Sequence, residues 1–436
     1  MNHHLKTIQT AVEAYCSENY HFGFDAKNPR VRLHEPGFAA DDLMAMMTQA
    51  MSTMVTMGKE VREFEEQAAK RFDAKYCVMN NSGSSANLLA IAALANPAWP
   101  NHMKPGDEVI VPALSWATTV WPIIQHHLVP VFVDCDLETL NFDMAKLEAA
   151  IGPKTRAIMP VHVYGNPCDM DALAALCDKH KLYLIEDTCE SMGATYKGRC
   201  VGSFGILGTM STYYSHHITT FEGGLTFTNN FEMAELLRIL RAHGWSREAD
   251  EKDRYIRENP DIDPRFIFIN IGYNLRPTEV QAAMGKTQLP KLSGFIERRR
   301  AAYARYRAGL DKYSDVLQFQ QEQAGGQSSW FGFCARVKEG APFTLKDITG
   351  FLQSKGIETR PIIAGNMARH PALKMFAHRV SGSLENCDKV MTQGFAIGCH
   401  HAIDASACDY VIGCVDEFMQ QIPALAAGSG KRMMTV

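Results

Sequence analysis

The sequence has no Cys-x-x-Cys pair, no run of lysine and arginine longer than three residues, and no apolar stretch of membrane-spanning length. Each absence removes a class of function. Twelve cysteines are scattered from Cys16 to Cys414, so neither a disulfide framework nor a thiolate metal site is expected. Most sit in apolar runs such as Tyr76-Cys77-Val78, where a free thiol behaves as a small hydrophobe. The sixteen histidines include four His-His pairs but no His-x-x-x-His, so no helical zinc site is expected either. With 44 basic and 48 acidic residues the net charge is −4, which offers nucleic acid no basic surface. The N-terminus lacks the basic-then-apolar layout of an export signal, and a cytoplasmic protein with no membrane partner is expected.

What is present is a chain of 436 residues, 46% hydrophobic, long enough for two or three domains. Residues 1–40 read as an N-terminal arm, with a possible helix over 5–15 and then a Pro/Gly-punctuated segment. Leu43, Met46, Met47, Met51 and Met54 have helical spacing and read as a core-facing stripe. Val61, Phe64, Ala68 and Phe72 mark a second amphipathic helix. Strand-like segments at 76–79, 108–112, 129–134, 156–162 and 182–186 then alternate with helical ones at 87–94, 144–151 and 170–179. Such alternation predicts an α/β fold with a mostly parallel, doubly wound sheet and ligands at the strand carboxyl ends. A helical pattern over 279–312, broken near Pro290, bridges a large domain, 41–290, to a smaller α/β C-terminal domain, 291–436. The charged insertion between Trp245 and Phe266 reads as a solvated loop or frayed helix, and the tail, 428–436, as disordered.

Three places carry chemistry. A strand over 209–214 enters a tight loop with adjacent His216 and His217, which closes on Glu222-Gly223-Gly224 before a β-rich run, 225–228. Histidines on a polar loop point to proton transfer or ligation rather than packing; His217 is expected to be exposed. The small-residue loop Asn81-Ser-Gly-Ser-Ser-Ala86 feeds a helix N-terminus, where free backbone N–H groups and the helix dipole suit a phosphate. Asp187 ends a strand, where it could cap a helix or meet a ligand. Trp116 could be core or a stacking surface.

These motifs resemble the DegT/DnrJ/EryC1/StrS sugar aminotransferase family, whose active-site loop reads Ser-Phe-x-x-x-Lys-x-Ile/Met-Thr-x-Gly-Glu-Gly-Gly. Registered on Glu222-Gly223-Gly224, the family's Schiff-base lysine falls on His216 and its phosphate-binding serine on Ser211. The likeness spans almost the whole chain. It is strongest to the family's 3-dehydratase members, which carry histidine in place of that lysine. Ser82-Gly-Ser-Ser-Ala-Asn-Leu-Leu89, His216-His-Ile-Thr219, Gly272-Tyr-Asn-Leu275, Trp330-Phe-Gly-Phe333 and Ala364-Gly-Asn366 carry it. The resemblance implies the type I fold of enzymes dependent on pyridoxal phosphate (PLP). It places Gly83, Ser84, Ser85 and Ser211 around the phosphate, Asp187 on the pyridine nitrogen and Trp116 on the ring. Glu190 stands over the cofactor hydroxyl where the family usually has Gln, and Phe221 replaces a loop glycine. Asn274 matches an asparagine that reaches the phosphate of the partner subunit's cofactor, which implies a homodimer with shared active sites.

The missing lysine decides the expected chemistry. Lysine would capture the cofactor and pass nitrogen to the sugar; imidazole cannot, but it moves protons near neutral pH. The resemblance thus implies removal of the C3 hydroxyl from a nucleotide-linked 4-keto-6-deoxyhexose, giving a 4-keto-3,6-dideoxy sugar for dideoxysugar and polysaccharide synthesis. Pyridoxamine phosphate (PMP) would form from PLP and glutamate, and ammonia would be released. Cluster-bearing relatives have cysteines in the loop at 246–265, and this chain has none there, so no iron–sulfur cluster is expected. The alternatives are a dehydrase working with a separate reductase, or an aminotransferase-like sugar-nucleotide-binding protein without catalysis. Arg360–Arg369 and the charged loop are expected to contact substrate.

Overall fold

The computed structural model describes His3–Ser429, with side chains through Ile422. The larger of its main sheets has eight strands: β1 Tyr76–Asn80, β2 Glu108–Pro112, β3 Val129–Val133, β4 Thr155–Ile158, β5 Tyr183–Asp187, β6 Leu207–Ser211, β7 Gly224–Thr228 and β8 Arg379–Val380. Their order across the sheet is β1-β7-β6-β5-β4-β2-β3-β8. The six strands from β6 to β8 pair in parallel, and only β7 runs against its neighbours, β1 and β6. The parallel strands read as near-continuous apolar runs because helices cover both faces of the sheet. Val109, Val111 and Phe132 enter one core with Leu89 and Leu94 of the helix Gly83–Ala95; Ile110, Val131 and Val133 enter another with Leu173 and Cys177. Side chains of alternating residues along one strand therefore serve two cores.

A second, antiparallel sheet orders Leu317–Phe319, Gly332–Val337, Gly394–Gly398 and Thr359–Arg360. It packs with the helices Leu292–Leu310 and Leu345–Ser354 around Phe333, Tyr306 and Leu352. The break expected near Pro290 is there: Glu279–Gln288, a single turn at Leu289–Lys291, then Leu292–Leu310. Two segments cross the boundary drawn from sequence. Val31 of the arm pairs with Ile357 and joins the C-terminal core, and β8, from the C-terminal part, adds an edge to the large sheet.

The arm helix is longer than expected, His3–Asn19. The charged insertion folds as a short helix, Lys252–Glu258, with no buried residue. The methionine stripe is not core. Met47, Met51 and Met54 are 38%, 47% and 68% exposed. Their helix, Ala40–Met51, docks instead through buried Asp42, which accepts from Thr287 Oγ1, Gln288 Nε2 and Lys291 Nζ. An acidic anchor on one face leaves the methionines on a face this chain does not cover. All twelve cysteines are free, and only Cys189 is not fully buried. Among the described residues no helix is long and apolar enough to cross a membrane. The expected disordered tail lies outside the described residues from 430 onward; its first two residues end the helix Ala405–Ser429.

Candidate active site

The carboxyl ends of β1, β2, β5 and β6 open on one cavity of about 430 Å³, where a doubly wound sheet offers its crevice. At the end of β1, Ser82 caps the helix Gly83–Ala95 by accepting from Ser85 N at 3.0 Å. The capped first turn turns its backbone N–H groups toward the cavity. Two glycines make this possible. A Cβ on Gly83 would stand 2.5 Å from the Ser211 Cβ, and one on Gly224 would strike the Ser82 carbonyl. The first turn, the end of β6 and the start of β7 thus lie closer together than any side chain permits.

At the end of β5, the Asp187 carboxylate is 4% exposed and held by its surroundings. Its Oδ2 accepts from Asn87 Nδ2 at 2.9 Å and from Thr119 Oγ1 at 2.8 Å. Thr209 in turn donates to Asn87 Oδ1 at 2.6 Å, so β5, β6 and two helices fix one carboxylate. Asp187 lines the cavity, and no helix begins at it. Trp116 lines it too, 55% exposed, so it is a wall and not core. Glu190 accepts from Tyr164 N at 3.1 Å, and burial pushes its carboxyl up to about 7 against the pull of Arg360.

The loop after β6 supplies the opposite wall. Thr212 and Thr220 hydroxyls meet at 2.6 Å, and the Thr212 amide donates to the Gly223 carbonyl at 2.9 Å, pinching the loop at its neck. Phe221 takes φ +66° where the resembled loop has glycine, and its ring packs 5.3 Å from Phe38 of the arm. His216 is half-buried, faces the cavity, and lies 5.1 Å from Phe331 and 5.8 Å from Tyr213, ring to ring. Its Nδ1 has no protein partner. Burial, then the positive charges of Arg299 and Arg360, push this imidazole down to about 3. It is therefore neutral, and able to accept a proton, across the physiological range.

Of the residues singled out from sequence, Gly83, Ser84, Trp116, Asp187, Glu190, Ser211 and His216 meet in this cavity. Ser85 lines none of it and turns back to Ser82 Oγ at 2.9 Å. Asn274 also lies off the cavity, exposed, accepting from Arg276 Nε at 3.1 Å. His217 corrects the expectation of exposure: it is 1% exposed because its Nε2 donates inward to the Ser329 carbonyl at 3.2 Å. Sequence reading missed Asn87, Thr119 and Phe331 as site residues. Asn87 carried a signal, an amide in an otherwise apolar helical run, and Phe331 lay in the resembling motif Trp330-Phe-Gly-Phe333; Thr119 carried none. In 360–369, Arg360 reaches the cavity, whereas Arg369 pairs with Asp388 at 2.7 Å outside it.

Comparison with known proteins agrees with this geometry. Residues 39–416 match the model of the DegT/DnrJ/EryC1/StrS aminotransferase family. The chain is 40% identical to the GDP-4-keto-6-deoxy-D-mannose 3-dehydratase of Escherichia coli O55:H7, over 85% of this chain and 96% of that one. It is 36% identical to the dTDP-4-dehydro-2,6-dideoxy-D-glucose 3-dehydratase of Saccharopolyspora spinosa, over 94% of this chain and 91% of that one. Among solved structures it is similar to a GDP-4-keto-6-deoxymannose-3-dehydratase with a trapped PLP–glutamate geminal diamine. The TM-score is 0.82 and the identity 38%, over 88% of this chain and all of that one. The family match over residues 39–416 and the likeness of sequence and fold to these relatives have one meaning: this chain belongs to the DegT/DnrJ/EryC1/StrS aminotransferase family.

Proposed function

We propose that the chain is a PLP/PMP-dependent lyase. It removes the C3 hydroxyl of a nucleotide-linked 4-keto-6-deoxyhexose, leaving a 4-keto-3,6-dideoxy sugar, with glutamate as amino donor and ammonia released. The observation that carries this reading is His216, a neutral imidazole on the cavity wall where amine-transferring relatives need a lysine. The residues fit the cofactor. The close approach of Gly83, Ser211 and Gly224 leaves room for a phosphate at a helix N-terminus, with the Ser84 and Ser211 hydroxyls beside it. Asp187 offers a fixed carboxylate to a pyridinium nitrogen, Trp116 a ring face, and Glu190 a carboxyl beside the ring hydroxyl. When bound, the cofactor supplies an amine for the C4 ketone and an electron sink.

The protein's own part is proton movement and binding. His216 accepts a proton, and the same nitrogen, once protonated, can donate to the departing C3 oxygen. Arg360 presents a guanidinium to the cavity, over the Tyr164 ring at 5.8 Å, and among the described residues no carboxylate forms an ion pair with it. It suits the carboxylate of the amino donor. We include a homodimer in the reading. Exposed Met47, Met51, Met54 and Val55 form an apolar face of the kind subunits cover, and Asn274, which does not reach this chain's cavity, is available to a partner's phosphate.

The test is direct. Purified protein, PLP and excess glutamate are supplied with GDP-, CDP- and dTDP-linked 4-keto-6-deoxyhexoses, without reductase. Ammonia and 3-deoxy sugar are expected in equal amounts with one nucleotide preferred. Accumulated PMP with no ammonia, and product only on adding a reductase, would replace the hydrolytic ending with a reductive one.

A further inference from the structure

We infer that Arg299 and His217 are positioning residues for His216, clamping the main chain of 329–331 so that Phe331 fixes the imidazole. The inference rests on the reading of His216 as the proton-transferring group. Three successive carbonyls are held. That of Ser329 accepts from His217 Nε2 at 3.2 Å, and those of Trp330 and Phe331 accept from Arg299 Nη1 at 3.1 and 3.3 Å. The same nitrogen donates to the Cys399 carbonyl at 3.0 Å, tying the segment to the end of the C-terminal sheet. From the other side, the amides of Ser329 and Phe331 donate to the carbonyls of Gly165 and Tyr164. The segment needs such holding because Trp330 sits at φ +43°, a conformation non-glycine residues rarely keep unaided. Its ring is stacked 3.6 Å from Tyr303, so the strain is absorbed by packing, and Phe331 is delivered to the cavity 5.1 Å from His216 and 5.9 Å from His217.

Arg299 is an unusual choice for a clamp. It is 2% exposed, on the buried face of Leu292–Leu310, and among the described residues no carboxylate pairs with it. Its Nε has no hydrogen-bond partner among the described residues. An uncompensated buried cation is costly to keep, which suggests that its charge is used. A fixed positive charge opposes a second one nearby, so it favours the neutral form of His216. Arg360, from the strand Thr359–Arg360, and His34, from the arm, act on the ring in the same sense. The other titratable groups around it are Tyr213 and His217 of its own loop and, on the cavity walls, the carboxyls of Asp187, Glu190 and Glu222 and the thiol of Cys189. The clamp thus sets the place of the imidazole and helps to hold it in the neutral form.

Arg299→Lys keeps the charge and loses the three-carbonyl geometry; Arg299→Met keeps the bulk and loses the charge. Two readouts separate these effects. In cofactor-free protein, diethyl pyrocarbonate modification of His216, followed by peptide mass spectrometry, reports the neutral imidazole as a function of pH. In the loaded enzyme, kcat and KM are measured across pH. We expect His216 modification to be flat from pH 5 to 8 in the wild type and Arg299→Lys, and to fall on the acid side in Arg299→Met. We also expect kcat to drop at least tenfold in both variants, with KM within a few-fold. Unchanged modification profiles and unchanged kcat would overturn the inference. So would equal losses in both variants with no difference in the acid limb, which would make Arg299 merely structural. If neither variant folds, His217→Asn, which retains a donor for Ser329, is compared with His217→Leu. A tenfold lower kcat in the leucine variant alone supports the clamp, and equal activity overturns it. A wild-type enzyme inert toward every sugar would refute the proposed function instead, while the cofactor-free modification profiles would still decide the clamp.

Discussion

The two walls of the cavity are built differently. On the wall made by strand ends, the side chains are bonded to one another: Thr209 to Asn87, Asn87 and Thr119 to Asp187, Ser85 to Ser82. On the loop side, His216 Nδ1 at the cavity and His217 Nδ1, Ser329 Oγ, Tyr164 OH and Arg299 Nε behind it are buried with no partner among the described residues, against Asn81 Oδ1 and Ser115 Oγ behind the strand ends. The first wall is nearer a finished socket, and the second leaves more groups unpaired, at a cost of about 1–3 kcal/mol each. Binding sites need the former so that a ligand meets fixed partners. Reaction surfaces need the latter, because the groups that move protons cannot also be saturated by the fold.

Substitutions on the two walls should therefore fail in different ways. The largest effect belongs to the loop wall. His216→Ala should lower turnover by about 10²–10⁴-fold, the usual contribution of a general base, while cofactor affinity, read by absorbance titration, changes little. Loss of cofactor binding would mean that the walls are not separable. Gly83→Ala should do the reverse. Its Cβ would stand 2.5 Å from that of Ser211, so the cradle must spread, destabilising the fold by about 1–3 kcal/mol as overpacking does. Cofactor affinity should fall about tenfold or more, and a saturating concentration should restore much of the turnover. Trp116→Leu should be milder. The side chain is 55% exposed, so the melting temperature should hold, and loss of a ring contact worth about 0.5–1.5 kcal/mol should weaken cofactor binding by only about 2–10-fold. A falling melting temperature would make Trp116 a packing residue after all.

The sequence showed the socket more fully than the reaction wall, for a physical reason. Gly83, Ser211 and Asp187 lie at strand ends and a helix start, where strand–loop–helix alternation announces the crevice and each side chain acts close to its own backbone. The loop wall is assembled from afar. His217 turns inward because its acceptor, the Ser329 carbonyl, lies 112 residues away, and no local pattern could reveal that. The methionine stripe failed for the same kind of reason. Helical spacing identifies an apolar face but not what covers it, and buried Asp42 was the cue that the helix docks by another side. The lysine replaced by histidine was legible because it is a single register position in a loop with fixed glycines.

The smallest predicted effect tests whether Glu190 belongs to either wall. It lines the cavity beside both Asp187 and Arg360, and burial raises its carboxyl to about 7 from an ordinary 4.5. A raised carboxyl is neutral in the folded protein where it would be ionised in the unfolded chain. Its contribution to stability is thus complete below about pH 4.5 and is lost as pH climbs through about 7. Near pH 7 the residue changes from a hydrogen-bond donor to an acceptor-only carboxylate, and a bound cofactor should register that change. The wild-type cofactor absorption is expected to shift with a midpoint near 7, and Glu190→Gln, a neutral amide at every pH, should abolish the shift while changing turnover only a few-fold. A shift that persists unaltered in Glu190→Gln would assign the titration to another group, and Glu190 would then be part of the socket by position alone.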